Sequence, residues 1–222
     1  MAGVDSRDPY LEVMGVTEYV ARKVTAEGLQ GALEGACAMS DDWGGLHAEV
    51  SACTRCSLHE TRTQTVFGVG HPEAEWLFIG EAPGEQEDLR GEPFVGRAGQ
   101  LLDEMIRALG LEREHVFIAN VLKCRPPKNR DPSPEEALSC EPFLVRQVEL
   151  LRPKIIVAVG RIAAQNLLKT QVPIGKLRGQ VHHYADIPVV VTYHPAYLLR
   201  SQTEKRRAWE DLKLARKTLS LS

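Results

Sequence analysis

The stretch KIIVAVG, residues 154–160, decides the fold class of this 222-residue chain. Its apolar residues follow one another without alternating with polar ones, which is typical of a strand buried on both faces. Three other runs share this property: AEWLFIG at 74–80, HVFIAN at 115–120 and IPVVVTY at 187–193. Strands of this kind belong to parallel sheets that are covered by helices on both sides.

Helical patterns lie between and after these runs. Ser133, Pro134 and Glu136 are typical of a helix start, because the serine and the glutamate can form a capping box and proline suits the first helical position. Gly110 is a natural helix end. Helices are predicted over 98–110, 134–151, 161–169 and 203–219. The alternation predicts an α/β fold, a three-layer α/β/α sandwich with a mainly parallel sheet of about four strands.

In such folds, ligands bind outside the carboxyl ends of the strands. The segments at those ends are GEAPGEQED (80–88), Asn120 with KCRPPKNR (123–130), GRIA (160–163) and HPAYLLR (194–200). GRIA has one glycine and does not match the dinucleotide fingerprint. The other three segments are chemically unusual, and we expect the functional site to be built from them.

The chain contains five cysteines, an odd number that favours metal binding over disulfides in a reducing compartment. Cys53 and Cys56 form one tight pair, whereas Cys124 and Cys140 lie fifteen residues apart in the sequence. Zinc sites usually have two tight pairs, so an iron–sulfur cube suits this spacing as well or better, and zinc or no metal remain alternatives. Cys140 also lies on an apolar stripe, where cysteine is a common small hydrophobe. Cys37 has no partner in the pattern and is interpreted as a non-ligand.

The charge is unevenly distributed along the chain. The overall net charge of −3 argues against a general nucleic-acid binder, but residues 1–50 and 51–120 each carry −6 and residues 121–222 carry +9. The basic block contains KCRPPKNR, HPAYLLR and the last predicted helix. A local DNA-binding patch is therefore compatible with the near-neutral total.

Residues 1–50 are acidic and weakly periodic, so we expect an N-terminal extension that is partly helical or disordered, followed by one core domain over 51–222. The start of the chain lacks the pattern of a secretory signal, and no apolar run approaches the ~20 residues that span a bilayer. We expect a cytoplasmic protein with no membrane partner.

GEAPGEQED, the phenylalanine of EPFVGRAG, Asn120 before KCRPPKNR, the four cysteines and HPAYLLR together resemble the iron–sulfur (family 4) uracil-DNA glycosylases. The resemblance covers about residues 51–217, with the motifs in the family's order. It implies a DNA repair enzyme that removes uracil from DNA, and a structural [4Fe-4S] cluster held by Cys53, Cys56, Cys124 and Cys140. It also leads us to expect a monomer, associated with the nucleoid when it acts on DNA. Its downstream repair partners are not specified by the sequence.

The chemistry of uracil removal assigns roles to three residues. Breaking the glycosidic bond leaves negative charge on the base, and His194 can donate a hydrogen bond to uracil O2 as that charge develops. The amide of Asn120 can donate to O4 and accept from N3–H, whereas cytosine presents the opposite pattern. Phe94 matches the family's phenylalanine that stacks on the flipped base.

The resemblance places the backbone of Gly80, Glu81 and Ala82 against uracil. The best-known glycosylase family has a water-orienting aspartate where Ala82 stands, so water positioning here must come from another residue. Asn129 matches the residue proposed for that task, and Glu81 or Glu87 as general base is the competing mechanism. Glu87 is also a candidate for crowding uracil C5 and excluding thymine.

The HPAYLLR segment suggests how DNA is held. Leu198 or Leu199 can fill the gap left by an extruded nucleotide, and Arg200 can hold a phosphate. Three more cations near the cysteines can add to this surface: Arg125, Lys128 and Arg130.

Two other functions remain open at this point. One is a non-catalytic or covalent uracil-DNA-binding iron–sulfur protein, but the covalent binder carries GEQPG and a KRRIH insertion where this chain has GEAPG and EDLRGEPF. The other is a small-molecule α/β enzyme such as a nucleoside hydrolase. The combination of His194, Asn120 and Phe94 favours the glycosylase, and the lack of an evident Schiff-base lysine predicts no strand cleavage.

Overall fold

The structure is a computed structural model in which residues 40–220 are described. The predicted helical part of the N-terminal extension and Cys37 lie outside the described residues. Within residues 40–220, no helix has both the length and the apolar character needed to cross a membrane.

A single mixed sheet forms the centre of the described chain. Its strands are β1 (Val69–Gly70), β2 (Trp76–Gly80), β3 (Phe117–Asn120), β4 (Ile155–Val159), β5 (Val181–Tyr184) and β6 (Ile187–Thr192). They are arranged in the order β1-β3-β2-β4-β6-β5. The four predicted strands form the parallel centre, with Gly80 beside Asn120 and Val159 beside Thr192. Their carboxyl ends therefore lie at one edge of the sheet, as predicted.

Helices cover both faces of the sheet. They are α1 (Trp43–Ser51), α2 (Glu85–Arg90), α3 (Arg97–Ala108), α4 (Pro134–Leu151), α5 (Arg161–Leu167), α6 (Ile174–Leu177), α7 (Pro195–Arg200) and α8 (Lys205–Leu219). Leu77 and Ile79 of β2 pack into one core with α1, α4, α5 and α6. Trp76 and Phe78 pack into the other core with α3, α7 and α8. This alternation along one strand confirms the three-layer sandwich.

The predicted helix signals are confirmed at two ends. Ser133 and Glu136 form a reciprocal capping box at the start of α4, with Pro134 as the first helical residue. After α3, Gly110 adopts a φ of +78°, a left-handed conformation that glycine takes without steric cost.

The sheet has six strands rather than about four, because sequence reasoning missed both antiparallel edges. β1 is only two residues long, and β5 is the half-exposed segment VHHY, which lacks a continuous apolar run. His182 and His183 lie in β5, and His182 Nε2 is 2.7 Å from the Leu177 carbonyl oxygen.

The packed core begins before residue 51, which is the predicted first residue of the core domain. Asp42 caps α1 by accepting a hydrogen bond from the Gly45 backbone N–H at 2.8 Å. Leu46 and Val50 of this helix are 0% exposed. Residues 43–50 are therefore part of the core domain.

This packing predicts how the protein tolerates N-terminal truncation. Removing residues 1–50 withdraws Leu46 and Val50 from the core, at a cost of about 4 kcal/mol, or an unfolding temperature lower by about 10 °C. Removing residues 1–39 keeps both side chains and should leave the unfolding temperature much closer to that of the full chain. Thermal unfolding of the two truncated proteins compares them directly, and equal unfolding temperatures would contradict the assignment of α1 to the core.

Candidate active site

A cavity of about 470 Å³ opens at the carboxyl ends of β2, β3 and β6. Most of the residues predicted to contact uracil or DNA line it: Glu81, Ala82, Glu87, Phe94, Asn120, Asn129, Arg130, His194 and Arg200. They lie at the end of β3 or in the segments that follow β2, β3 and β6, so the parallel sheet is what brings them together. The predicted site residues thus converge, with the exceptions described below.

Gly80 is required by close packing behind this cavity. A Cβ atom at residue 80 would lie 2.4 Å from Asn120 Oδ1 and 2.6 Å from Phe94 Cζ, which are impossible contacts. The absence of a side chain at Gly80 therefore lets the amide and the aromatic ring approach each other at the strand ends. Gly80 therefore contributes space at the strand ends, and its contact with a bound base stays a prediction.

The Phe94 loop is held in a strained conformation. Phe94 has a φ of +54° and is 7% exposed. A Cβ at Gly99 would lie 1.8 Å from the Phe94 carbonyl oxygen, so α3 packs tightly under this loop. Left-handed backbone in a non-glycine residue costs about 1–3 kcal/mol and is often found at functional sites.

Glu87 has a clear structural partner in the same loop. Its Oε1 accepts hydrogen bonds from the backbone N–H groups of Val95 and Gly96, at 3.0 and 3.3 Å. The carboxylate therefore stabilises the turn that positions Phe94. This contact could not be predicted from the sequence, where Glu87 was a candidate for excluding thymine.

Asn120 presents an unsatisfied polar group. The residue is 2% exposed, and its Oδ1 has no hydrogen-bond partner among the described residues. A buried oxygen without a partner costs the free protein about 1–3 kcal/mol. Such an atom at a cavity wall is suited to accept a hydrogen bond from a bound ligand.

His194 is held in a defined protonation state. It is the N-cap of α7, and its Nδ1 accepts a hydrogen bond from the Ala196 backbone N–H at 3.1 Å. Burial, and then the positive charge of Arg200, lowers the pKa of His194 to about 4, against the opposing effect of Glu87. The imidazole is therefore neutral at pH 7 with its proton on Nε2, which makes Nε2–H a donor. The ring lies 5.6 Å from the Phe94 ring, centroid to centroid.

Glu81 is a carboxyl group of the cavity wall whose pKa is raised. Burial, and then the nearby negative charge of Asp131, raises the pKa of Glu81 to about 7, although Arg161 acts in the opposite direction. Asp131 also lines the cavity, and its Oδ2 accepts from Arg161 Nη2 at 2.6 Å. Sequence reasoning missed Asp131, which lies fifty residues from Glu81 and becomes its neighbour only in the fold. Asn129, at the exposed rim, accepts from Arg125 Nε at 2.7 Å through its Oδ1.

The structure corrects the role of one residue that was predicted to contact DNA. Leu198 is 1% exposed and packs in the core beside α3 and α8, so it cannot enter DNA without unfolding α7. Leu199 is half-buried and Arg200 is exposed. Lys128 is exposed, while Arg130 donates two hydrogen bonds to the Glu136 carboxylate at 2.8 and 2.6 Å.

Four cysteine thiols line one small enclosed space beside α1 and α4: Cys53, Cys56, Cys124 and Cys140. None of them is in a disulfide. No set of three or more His, Cys, Asp or Glu residues within 40–220 is arranged to hold a single metal ion. Burial raises the pKa of Cys140 to about 11, so in the absence of a cation this thiol stays protonated.

Hydrogen-bond donors lie near three of the four sulfur atoms, those of Cys53, Cys124 and Cys140. Arg62 Nη1 donates to Cys124 Sγ at 3.1 Å, and the backbone N–H of Lys123 donates to Cys140 Sγ at 3.3 Å. The Arg55 backbone N–H lies 3.5 Å from Cys53 Sγ. Donors of this kind stabilise thiolate ligands of metal clusters. The residues present therefore fit a site for a thiolate-bound metal group.

A buried lysine links the cysteines to the cavity. Lys123 is 1% exposed, and its Nζ donates to the Asn120 carbonyl oxygen at 2.8 Å and to Gln147 Oε1 at 2.6 Å. Gln147 Nε2 in turn donates to the Phe67 carbonyl oxygen at 2.9 Å. These bonds fix the end of β3, where Asn120 lies. Sequence reasoning missed Lys123, although a lysine directly before Cys124 in a strand-end segment was an available signal.

Comparison with known proteins agrees with this geometry. The sequence profile of the uracil DNA glycosylase superfamily matches residues 67–213, which is most of the described chain. The chain belongs to the uracil DNA glycosylase superfamily. The matched range contains every residue of the cavity, and it begins after Cys53 and Cys56.

Individual members of the superfamily are similar over most of their length. A type-4 uracil-DNA glycosylase of Archaeoglobus fulgidus is 51% identical over 159 residues, covering 68% of this chain and 80% of that protein. A type-4 uracil-DNA glycosylase of Sulfurisphaera tokodaii is 46% identical over 180 residues, covering 77% of this chain and 82% of that protein. A type-4 uracil-DNA glycosylase of Thermotoga maritima is 45% identical over 171 residues, covering 75% of this chain and 89% of that protein.

Proposed function

We propose that this chain is a monofunctional uracil-DNA glycosylase of base excision repair, which flips uracil out of DNA and hydrolyses its N-glycosidic bond to leave an abasic site. The observation that carries the proposal is one cavity containing both an unpartnered buried oxygen, Asn120 Oδ1, and a neutral imidazole donor, His194 Nε2–H. The family and the similarity to type-4 uracil-DNA glycosylases support it.

Asn120 selects the base in this account. Oδ1 accepts a hydrogen bond from uracil N3–H and Nδ2 donates to O4, whereas cytosine offers an acceptor at N3 and a donor at N4. Because the amide is buried, mispairing leaves polar groups without partners, which can reject a base by several orders of magnitude. The Phe94 ring, at the cavity wall, supplies the stacking surface for the flipped base.

His194 stabilises the leaving group. As the C1′–N1 bond breaks, its electron pair moves to uracil, and the negative charge is shared with O2. A neutral imidazole donates from Nε2 to that oxygen without first having to lose or gain a proton. The low pKa of His194 keeps this state constant across the neutral range.

Water completes the hydrolysis by adding to C1′. Glu81, with a pKa of about 7, can accept the proton that this water loses, and Asn129 at the rim can orient the water. Oε1 of Glu87 is already engaged by the Val95 and Gly96 backbone, so Glu81 is the better placed of the two glutamates. No lysine is among the described residues that line the cavity, which favours hydrolysis without a Schiff base.

The pKa of Glu81 predicts a pH dependence. The ionised carboxylate is the active base, so the excision rate should rise as pH increases through about 7 and level off above it. Glu81→Gln should lower the plateau rate by about 10²-fold and remove the inflection. Single-turnover rates between pH 5 and 9 test this. Glu73→Gln, an exposed residue before β2, is the matched control, and an inflection that persists in Glu81→Gln would exclude Glu81 as the base.

DNA contact is assigned to the rim of the cavity. With Leu198 in the core, Leu199 is the remaining leucine to act as the wedge, beside Arg200 as a phosphate clamp. Arg125, Lys128 and Arg130 add positive charge on the side of the rim formed by residues 125–130. We further propose that the protein acts as a monomer on uracil-containing DNA in the cytoplasm, associated with the nucleoid.

We propose a [4Fe-4S] cluster at the four cysteines. The four free thiols around one enclosed space and the donors near Cys53, Cys124 and Cys140 support a thiolate-bound cluster. When bound, it would join α1, the Cys53–Cys56 segment, the loop after β3 and α4 into one unit. Its expected contribution is to stability, since these residues lie outside the base cavity.

Metal analysis tests this assignment. Cys140→Ala should lose the bound iron and the visible absorbance, and should unfold at a lower temperature because an anchor between β3 and α4 is lost. Cys37→Ala, which leaves all four proposed ligands in place, should keep the iron of the unmodified protein. One zinc per chain in place of iron and sulfide would identify a structural zinc site and contradict the cluster.

A glycosylase assay tests the function. Oligonucleotides carrying one uracil, cytosine or thymine at the same position are incubated with the protein and then treated with alkali, which cleaves abasic sites. Cleavage should occur at uracil alone, and only after alkali. Equal signals on all three oligonucleotides, or strand cleavage without alkali, would contradict a monofunctional uracil-specific enzyme.

A further inference from the structure

A second cavity of about 480 Å³ adjoins the base cavity. The two share Glu81, His194, Ala196 and Arg200 as walls. The remaining wall of the second cavity consists of Gly160, Arg161, Ile162, Ile174, Tyr193 and Tyr197. A uracil in the first cavity would therefore have a second, separate recess directly beside it.

Two tyrosines form an aromatic surface in this recess. The Tyr193 and Tyr197 rings lie 5.1 Å apart, centroid to centroid, at an angle of 47°. Arg178 holds Tyr193 from another side, with its guanidinium carbon 4.1 Å from the ring centroid. Arg178 is in turn fixed by Asp211, at 2.7 Å, in an ion pair whose side chains are only 10% and 2% exposed. Tyr193 is thus a rigid support for Tyr197.

Tyr197 is the exposed end of this arrangement. It is 38% exposed, although aromatic side chains usually bury most of their surface. A single exposed aromatic needs no explanation by itself, but this one lies on the wall of a recess and rests on a fixed neighbour. A pre-positioned ring loses little conformational freedom when a flat ligand stacks on it.

Arg200 brings positive charge to the same recess, because it is exposed and lines both cavities. Arg161, also on the wall, is paired with Asp131 at 2.6 Å. Aromatic surface beside guanidinium groups is the combination that binds single-stranded nucleic acid, with bases stacked and phosphates neutralised.

We propose that the second cavity is a subsite for the nucleobase next to the flipped uracil on the same strand, which stacks on Tyr197 with its phosphate near Arg200. The proposal rests on the proposed glycosylase function. It implies that the enzyme holds two successive bases out of the helical stack, and that base–aromatic stacking contributes to binding of the substrate strand.

The test removes the neighbouring base and the tyrosine in turn. Three single-stranded oligonucleotides carry one uracil: one with normal neighbours, one with a tetrahydrofuran abasic analogue on the 5′ side, and one with the analogue on the 3′ side. For the unmodified protein, kcat/KM should fall about tenfold on one of the two abasic-flanked substrates. The kcat/KM of the Tyr197→Ala protein on the normal substrate should be about tenfold lower than that of the unmodified protein. It should not fall further when the variant acts on the same abasic-flanked substrate.

Matched variants separate stacking from a general loss of structure. Tyr197→Phe keeps a ring and should retain the unmodified behaviour. Trp209→Ala removes an aromatic side chain of similar exposure, 37%, that lines neither cavity, and should respond to the abasic flank as the unmodified protein does. The subsite would be overturned if kcat/KM of the Tyr197→Ala protein equals that of the unmodified protein on the normal substrate. It would also be overturned if the variant's kcat/KM, relative to the unmodified protein on the same substrate, falls by the same factor on all three substrates. Absence of excision by the unmodified protein would instead reject the glycosylase function itself.

Discussion

Replacing His194 with asparagine is expected to lower the single-turnover rate of uracil excision by about 10²–10³-fold, with little change in the unfolding temperature. The variant loses the Nε2–H donor that faces the departing base, and one such donor is typically worth this factor in rate. Its shorter amide oxygen can still accept from the Ala196 backbone N–H, as His194 Nδ1 does at 3.1 Å, so the cap of α7 is retained.

The control for this variant is His183→Ala. His183 is exposed in β5 and pairs with Pro188 near the start of β6, whereas His194 follows the end of that strand, so removal of the His183 side chain should leave the rate unchanged. A His194→Asn protein with an unaltered excision rate would show that the leaving group is stabilised by another residue.

Replacing Asn120 with leucine is expected to separate activity from stability. Leucine has nearly the shape of asparagine but cannot pair with uracil N3–H or O4, so two buried hydrogen bonds are lost and the excision rate should fall about 10²–10⁴-fold. In the free protein, however, Asn120 Oδ1 is buried without a partner among the described residues. Removing that unsatisfied oxygen should leave the free energy of unfolding unchanged or raise it by about 1 kcal/mol.

The matched control is Asn166→Leu on α5. Asn166 is half-buried, and its side chain donates to the Ile162 carbonyl oxygen at 2.9 Å, away from the base cavity. It should keep full activity. A large loss of stability in Asn120→Leu would indicate that the amide supports the fold, and would contradict its role as a reserved ligand contact.

The centre of the fold could be predicted from the sequence because its signals are local. KIIVAVG and the three similar runs are buried on both faces, and burial on both faces is recorded directly as continuous apolar sequence. The edge strand VHHY is half-exposed, so its composition does not distinguish it from a loop. α1 was missed for a related reason: only Leu46 and Val50 are fully buried, beside a partly buried Trp43, within an acidic and glycine-containing segment.

The candidate site could be predicted where a residue acts through its own chemistry. Asn120 and His194 follow predicted strands, and the parallel sheet brings such residues together. The orientation of side chains on α7 could not be predicted, because six residues give too short a pattern to distinguish buried Leu198 from half-buried Leu199.

Contacts between residues far apart in the chain could not be predicted from the sequence either. Burial raises the pKa of Glu81, and Asp131 adds to that effect only because the fold places the two carboxyl groups close together. Glu87 likewise accepts hydrogen bonds from the loop of Phe94 only in the folded chain. Pairing of this kind depends on loop conformations, including the left-handed backbone of Phe94, that have no strong sequence signature outside glycine.

The reaction proposed for this cavity is hydrolysis of the bond between uracil and deoxyribose. After the full chain is incubated with a uracil-containing oligonucleotide, mass spectrometry of the products should find free uracil and intact abasic DNA in equal amounts. The protein should remain unmodified, with more than one turnover per chain. Uracil retained in the DNA, or a stable covalent adduct between protein and DNA, would contradict the proposed hydrolysis.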